Sequence, residues 1–191
     1  EYFAVSSNGS RSNVAGSHFA GQLCFNSPVT EEIYQDLRSY FKGEPASVRK
    51  VLNYRGTAYG WGPNVNPGRN IIDVMPQDSM EGCRCPKCLP LVSTKKQNPQ
   101  YATDFIWNHV ISWANRLKKE GLKGNLGMMS YSPYGGIPKA DIPDNIMVQV
   151  ATGGPWYMSR LAEDKVRLKA WAEKLNHKVF LWNYINVEIG R

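Results

Sequence analysis

The chain has 191 residues, of which 42% are hydrophobic, so its length and composition fit one folded domain and exclude disorder throughout. Its formal net charge is +7, but Lys and Arg are scattered in runs of at most two, which argues against the clustered basic face of a nucleic-acid-binding protein. No stretch reaches the ~18 consecutive apolar residues of a membrane span, and no signal-peptide pattern is visible at the N-terminus.

Hydrophobic periodicity predicts alternating strands and helices. In chain order they are a strand at 21–25, a helix at 30–41, an exposed loop at 56–69, a strand at 70–75, a cysteine-rich loop at 77–90, a helix at 102–120, strands at 127–131 and 146–150, a helix at 166–175 and a strand at 178–184. Thr30 is the predicted N-cap of the first helix, and Gly121 is expected to end the long one.

This order favours an α/β fold with a parallel sheet. Polar and aromatic residues repeatedly follow the predicted strands, as they do at the carboxyl end of a parallel (β/α) barrel. Residues 1–191 hold too few βα units to close an eight-stranded barrel, so we interpret the chain as an incomplete portion of a single TIM-barrel-like domain, with flanking domains outside it.

The sharpest local pattern is the C-x-C-x-x-C run of Cys83, Cys85 and Cys88, joined by Cys24 at the end of the first predicted strand. Four thiolates are the ligand set of a closed structural zinc site. Two disulfides are the alternative, which an exported protein would permit, and free thiols are the third.

Two carboxylates, Asp78 and Glu81, follow the strand at 70–75 on one loop. Glycoside hydrolysis uses an acid to protonate the leaving oxygen and a second group to stabilise or attack the sugar cation, usually from a pair of Asp or Glu. Asp78 is the better placed of the two. The alternative is an Asp that only caps the loop through backbone N–H groups.

Other enzyme classes lose support. The three histidines, His18, His109 and His177, show no ligand spacing, and no G-x-S-x-G elbow, P-loop or dinucleotide fingerprint is present.

Five segments together resemble the bacterial family called domain of unknown function 4838, among the glycoside-hydrolase TIM barrels. They are residues 1–4 with 8–11, 22–28, 77–88, 131–134 and 182–184. They keep their order over nearly the whole chain. The segment Leu-Cys-x-Asn-x-Pro, followed by an Asp and then C-x-C-x-x-C, is the most specific of them.

The resemblance implies an exported protein, secreted, periplasmic or anchored to an outer membrane, that acts on glycans. Some relatives look like endo-β-N-acetylglucosaminidases, with no cofactor for catalysis. On this hypothesis Asp78, or less favourably Glu81, is catalytic. The expected sugar-binding residues are Asn26, Gln77, Tyr131, Tyr134, Trp156, Trp182, Asn183 and Tyr184. The rival hypotheses are a non-catalytic sugar-binding barrel and a zinc-stapled nucleic-acid-binding domain.

Overall fold

A computed structural model of the protein describes residues 2–11, 21–53, 55–62, 65–66, 70–77, 82–90, 99–154, 159–176 and 178–183. In chain order the elements are α1 (Val29–Phe41), a 3-10 helix (Ala46–Val48), β1 (Val65–Asn66), β2 (Ile71–Asp73), α2 (Pro99–Lys119), β3 (Asn125–Ser130), β4 (Ile146–Thr152), α3 (Leu161–Lys174) and β5 (Val179–Asn183). Over these ranges, no helix is both long enough and apolar enough to span a lipid bilayer.

The strands form one sheet in the order β1-β2-β3-β4-β5. β1 pairs antiparallel with β2, whereas β2, β3, β4 and β5 are parallel, each beside the next strand in the chain. Parallel neighbours require crossover connections, and α2 and α3 occupy two of them. The predicted α/β class with a parallel sheet is confirmed.

The sheet has two chemically different faces, because successive side chains of a strand point to opposite sides. The helix-covered face carries Ile72, Leu126, Met128, Ile146, Val148 and Val150, all buried in the main core. The second face carries Asp73, Gly127, Met129, Met147, Gln149, Ala151, Phe180 and Trp182. No described residue of the second face belongs to the main core, so the described helices pack on one side only.

Two tryptophans from different helices form the centre of the main core. Trp107 of α2 and Trp171 of α3 are fully buried, with ring centroids 5.1 Å apart. The Trp107 indole donates to the Tyr134 carbonyl at 2.9 Å, and the Trp171 indole donates to Ser130 Oγ at 3.0 Å. Both helices are thereby tied to the end of β3 and the loop after it.

The helix predictions hold, with shifts at the ends. α1 begins at Val29, whose N–H bonds Ser27 Oγ at 3.3 Å, so Thr30 lies inside the helix and its predicted role as N-cap is wrong. α2 ends as expected, because Gly121 (φ 72°) donates to Lys118 and Leu122 donates to Leu117 in a Schellman arrangement. α3 begins at Leu161, five residues before the predicted start at 166.

The predicted strand at 21–25 is wrong. Residues 21–25 form only a single antiparallel bridge, between Phe3 and Leu23, because the chain turns at once: Ser27 N–H bonds the Cys24 carbonyl at 2.9 Å. In the predicted exposed loop at 56–69, residues 56–59 are exposed as expected, but the loop also contains β1, which is too short to have a recognisable hydrophobic period.

Candidate metal centre and cleft

The four cysteines converge from two distant parts of the chain, as predicted. Cys24 lies beside residues 2–5, where Ala4 N–H donates to the Gln22 carbonyl at 2.8 Å and Cys24 N–H donates to the Tyr2 carbonyl at 2.8 Å. Residues 2–5 also contact the second cysteine segment, because the Val5 carbonyl accepts a hydrogen bond from Arg84 N–H at 2.9 Å. Residues 2–5 therefore join the two cysteine segments.

The distances between the sulfurs suit a shared metal ion. All four Sγ atoms lie within 4.8 Å of one another, and Cys24 Sγ is 3.8 Å from Cys85 Sγ and 3.6 Å from Cys88 Sγ. A tetrahedral zinc with Zn–S bonds of ~2.3 Å separates its sulfurs by about 3.8 Å. A disulfide would bring two of them to ~2.05 Å. The cluster is compatible with a structural metal site.

Donors around the cluster point at the sulfurs. Cys83 Sγ accepts the backbone N–H groups of Val5 at 3.3 Å and Cys85 at 3.4 Å, and Cys88 Sγ accepts Asn26 Nδ2 at 3.2 Å. Such bonds orient and stabilise thiolate ligands. Asn26, one of the expected sugar-binding residues, therefore lies at the cysteine cluster.

Burial and hydrogen bonding set the acidity of the thiols. Burial raises the pKa of Cys24 strongly and that of Cys88 to about 11. Burial also raises the pKa of Cys85, but hydrogen bonds from the Cys88 backbone and the neighbouring thiols lower it by more. The pKa of Cys85 is therefore about 7. Two of the thiols therefore disfavour the charged form until a cation offsets the cost of burying it.

The cluster forms a second small core, separate from the main one. It consists of Ala4, Cys24, Cys83 and Cys88, with Val5 and Cys85 packed against it. Two aliphatic side chains bury little apolar surface, so this part of the protein depends on the cysteines for its order.

A cleft of about 570 Å³ opens beside the cysteine cluster, between α1 and the carboxyl end of β2. Its lining includes Gln22, Leu23, Asp36, Trp61, Asp73 and Gln77. The volume is within the ~300–1,000 Å³ typical of small-ligand sites. Gln77, a predicted sugar-binding residue, lies in this lining with its amide oxygen against Gly21.

Asp73 is a functional candidate that the sequence reasoning missed. It is the last residue of β2, lies on the second face and lines the cleft. Burial raises the pKa of its carboxyl. A carboxylate with a perturbed pKa in a cleft marks a candidate functional site. The signal available in the sequence was an Asp inside an otherwise apolar run, which favoured reading the run only as a strand.

The remaining predicted residues fall into three groups. Tyr131 follows β3 directly and packs against the main core, and Trp182, 47% exposed, lies near the end of β5, at the same edge of the sheet. Tyr134 follows β3 too but is only 2% exposed, because the loop folds back onto Trp107. Its expected place in an open sugar subsite is wrong. Asp78, Glu81, Trp156, Tyr184 and the side chain of Asn183 lie outside the described residues.

Fold and site together define an α/β protein with a parallel sheet, a candidate structural metal centre and a ligand-sized cleft beside it. Comparison of the chain with protein-family models, curated proteins and solved structures finds no match.

Proposed function

We propose that this chain forms part of a carbohydrate-active barrel of the glycoside-hydrolase type, resembling the family called domain of unknown function 4838. The observation that carries the proposal is the cleft at the carboxyl end of β2, where Trp61, Asp73 and Gln77 line one space. An aromatic ring with a few converging polar groups is the usual composition of a sugar-binding site.

The arrangement of the sheet supports the barrel. Strands β2 to β5 are parallel and follow one another in chain order, and the described helices pack on one face. Doubly wound sheets carry helices on both faces and reverse their strand order, whereas barrels keep sequential neighbours and turn one face inward. On this proposal the second face of the sheet lines the barrel interior.

The proposed chemistry is hydrolysis of a glycosidic bond, with an endo-β-N-acetylglucosaminidase as the favoured type. Asp78 is the next residue after Gln77, which lines the cleft. As a general acid it would protonate the leaving oxygen; as a carboxylate it would stabilise the developing oxocarbenium ion. Glu81 is the weaker candidate. The protein would be exported, as the resemblance implies.

We assign the metal as zinc with a structural role. The donor set fits, since four cysteine sulfurs within 4.8 Å of one another match the ligand set of a closed structural zinc site. Zinc would hold residues 2–5 and 22–26 against the loop at 82–90, and it would not take part in the reaction.

The test is a screen of the protein against N-glycans and uronic-acid polysaccharides, with products identified by mass spectrometry. Cleavage by the protein, lost in Asp78→Asn and kept in Asp144→Asn, an exposed acid paired with Lys118, supports the proposal. Binding without cleavage would favour the rival, a non-catalytic sugar-binding barrel. Absence of both binding and cleavage would contradict a role in carbohydrate metabolism.

A further inference from the structure

The cleft beside the metal centre is acidic. Its described lining contains two carboxylates, Asp36 and Asp73, and within that lining there is no Lys, Arg or His. An ionised carboxylate in such a cleft that has no cation beside it repels anionic ligands and admits neutral ones, because like charges in a partly enclosed space interact more strongly than they do in bulk water.

Only one of the two carboxylates is available to a ligand. Asp36 accepts Arg49 Nε at 2.8 Å, and the same guanidinium also bonds Glu32 at 2.6 Å. The positive charge of Arg49 therefore offsets the negative charge of Asp36, and the ion pair holds the Arg49 side chain against α1. The Asp73 carboxylate makes no hydrogen bond or ion pair with a described residue, and burial is what raises its pKa.

The space around Asp73 is kept by a glycine on the neighbouring strand. In the register of β2 and β3, Asp73 pairs with Gly127. A Cβ at position 127 would lie 1.9 Å from Asp73 Oδ1, so any larger residue would displace the carboxylate. Gly127 thus leaves room for a half-buried acid that makes no side-chain bond to a described residue, although burying such a group without a partner costs stability.

A fixed aromatic ring faces the same cleft. The Trp61 indole donates to the Glu44 carbonyl at 3.1 Å, and its ring contacts Tyr40 edge to face with centroids 5.8 Å apart. A ring held in this way offers an apolar surface to a sugar, and a neighbouring carboxylate offers acceptors for its hydroxyl groups.

We propose that Asp73 is the carboxylate that contacts the bound glycan in this cleft, and that the cleft selects uncharged sugars over uronic acids and sulfated sugars. This inference rests on the proposed function and adds to it the class of substrate and a substrate-contacting residue. Asp73 accepts hydroxyl groups of a neutral sugar, and the same charge repels a carboxylated or sulfated one.

The experiment measures dissociation constants by titration calorimetry for N,N′-diacetylchitobiose, mannobiose, cellobiose and digalacturonic acid. The protein is compared with Asp73→Asn, Asp73→Glu and a control, Asp104→Asn, which removes a partly buried acid of α2 that bonds Gln100 and the Lys139 backbone away from the cleft. Thermal melting verifies that each variant is folded.

We expect at least one neutral disaccharide to bind and digalacturonic acid to bind at least ~10-fold more weakly. Asp73→Asn should weaken the neutral sugar at least ~10-fold, the scale of one hydrogen bond to a charged group, and should reduce the discrimination against digalacturonic acid. Asp104→Asn should leave both affinities unchanged. If Asp73→Asn does not fold, Asp73→Glu decides: it keeps the charge in a shifted position, so it should weaken the neutral sugar and still exclude digalacturonic acid.

Three results would overturn the inference, and they are distinguishable. Neutral-sugar affinity within twofold of the unaltered protein in the Asp73 variants would remove Asp73 from the site while a carbohydrate function stands. A preference for digalacturonic acid would refute the selectivity while a carbohydrate function again stands. No binding of any of the four sugars would refute the proposed function and this inference together.

Discussion

Loss of the metal should release the N-terminal segment while leaving the main core folded. The perturbation is Cys24→Ser, chosen because Cys24 belongs to the chain segment that residues 2–5 join to the loop at 82–90. The two cores are separate, since no residue of the cysteine cluster belongs to the cluster that contains Trp107 and Trp171.

The magnitude follows from the contacts of residues 2–5. Between described residues, three backbone hydrogen bonds tie this segment to 22–24 and 84, together worth about 3 kcal/mol. Burial of Ala4 and the half-buried Val5 adds about 2 kcal/mol. Fixing four residues costs about 4–8 kcal/mol, so the segment is marginal at best without a metal. A structural zinc contributes roughly 10–16 kcal/mol, which decides the balance.

The assay is hydrogen exchange followed by mass spectrometry or NMR, together with elemental analysis of protein purified without chelator. We expect close to one zinc per chain. In Cys24→Ser, protection of the amides of Ala4, Cys24 and Arg84 should fall at least ~10³-fold, equivalent to about 4 kcal/mol of local stability. The amides of α2 should keep their protection, and Cys24→Ser should match the unaltered protein treated with a chelator.

Two results would refute this reasoning. Metal-free protein with full protection at Ala4 and Cys24 would show that hydrogen bonds and packing suffice, and mass spectrometry would then test for disulfides. Equal loss of protection in α2 would show that the metal supports the whole fold, against the separation of the two cores.

Three further predictions concern the cleft. Asp78→Asn should lower turnover at least ~10²-fold with little change in melting temperature, whereas an Asp that only caps its loop would lower the melting temperature first. Burial raises the pKa of Asp73, so ionising this carboxyl above its folded-state pKa destabilises the folded protein. Asp73→Asn should therefore have a higher melting temperature than the unaltered protein at pH 7. This difference in melting temperature should vanish below the ordinary Asp pKa of ~3.9, where the carboxyl is neutral in both the folded and the unfolded state. Gly127→Ala should destabilise the protein by about 1–3 kcal/mol in chemical denaturation, because its Cβ overlaps Asp73, whereas Gly60→Ala, whose Cβ meets Asn53 at 3.5 Å, should be nearly neutral.

Much of the fold is predictable from the sequence because the longer elements repeat their pattern several times. α2 was expected at 102–120 and spans Pro99–Lys119, and β4 was expected at 146–150 and spans Ile146–Thr152. Residues 21–25 gave only five positions, too few to distinguish a sheet strand from a bridge to another segment. Their partner, Phe3, carries no local signal for that pairing.

The candidate site, like the fold, is predictable from the sequence only in part. Cysteine spacing predicted the four-cysteine cluster because the clustering residues themselves are the pattern. The burial of Tyr134 depends on a bond between its backbone carbonyl and the Trp107 indole, 27 residues earlier, which no local pattern encodes. Asp73 was missed for a related reason: its significance comes from strand register, which sets it opposite Gly127 on another strand.

The position of the cysteine cluster suggests how a cleft persists beside so small a core. Gln22 and Leu23 line the cleft and immediately precede Cys24, and Gly82 lines it and immediately precedes Cys83. An apolar core large enough to order these two segments would need side chains in the volume that the cleft occupies. On the proposal that the four cysteines hold one zinc ion, the thiolates would order both segments within a few ångströms and leave that volume open. A wall fixed in this way also binds a ligand without first losing conformational entropy, which is the general advantage of preorganisation.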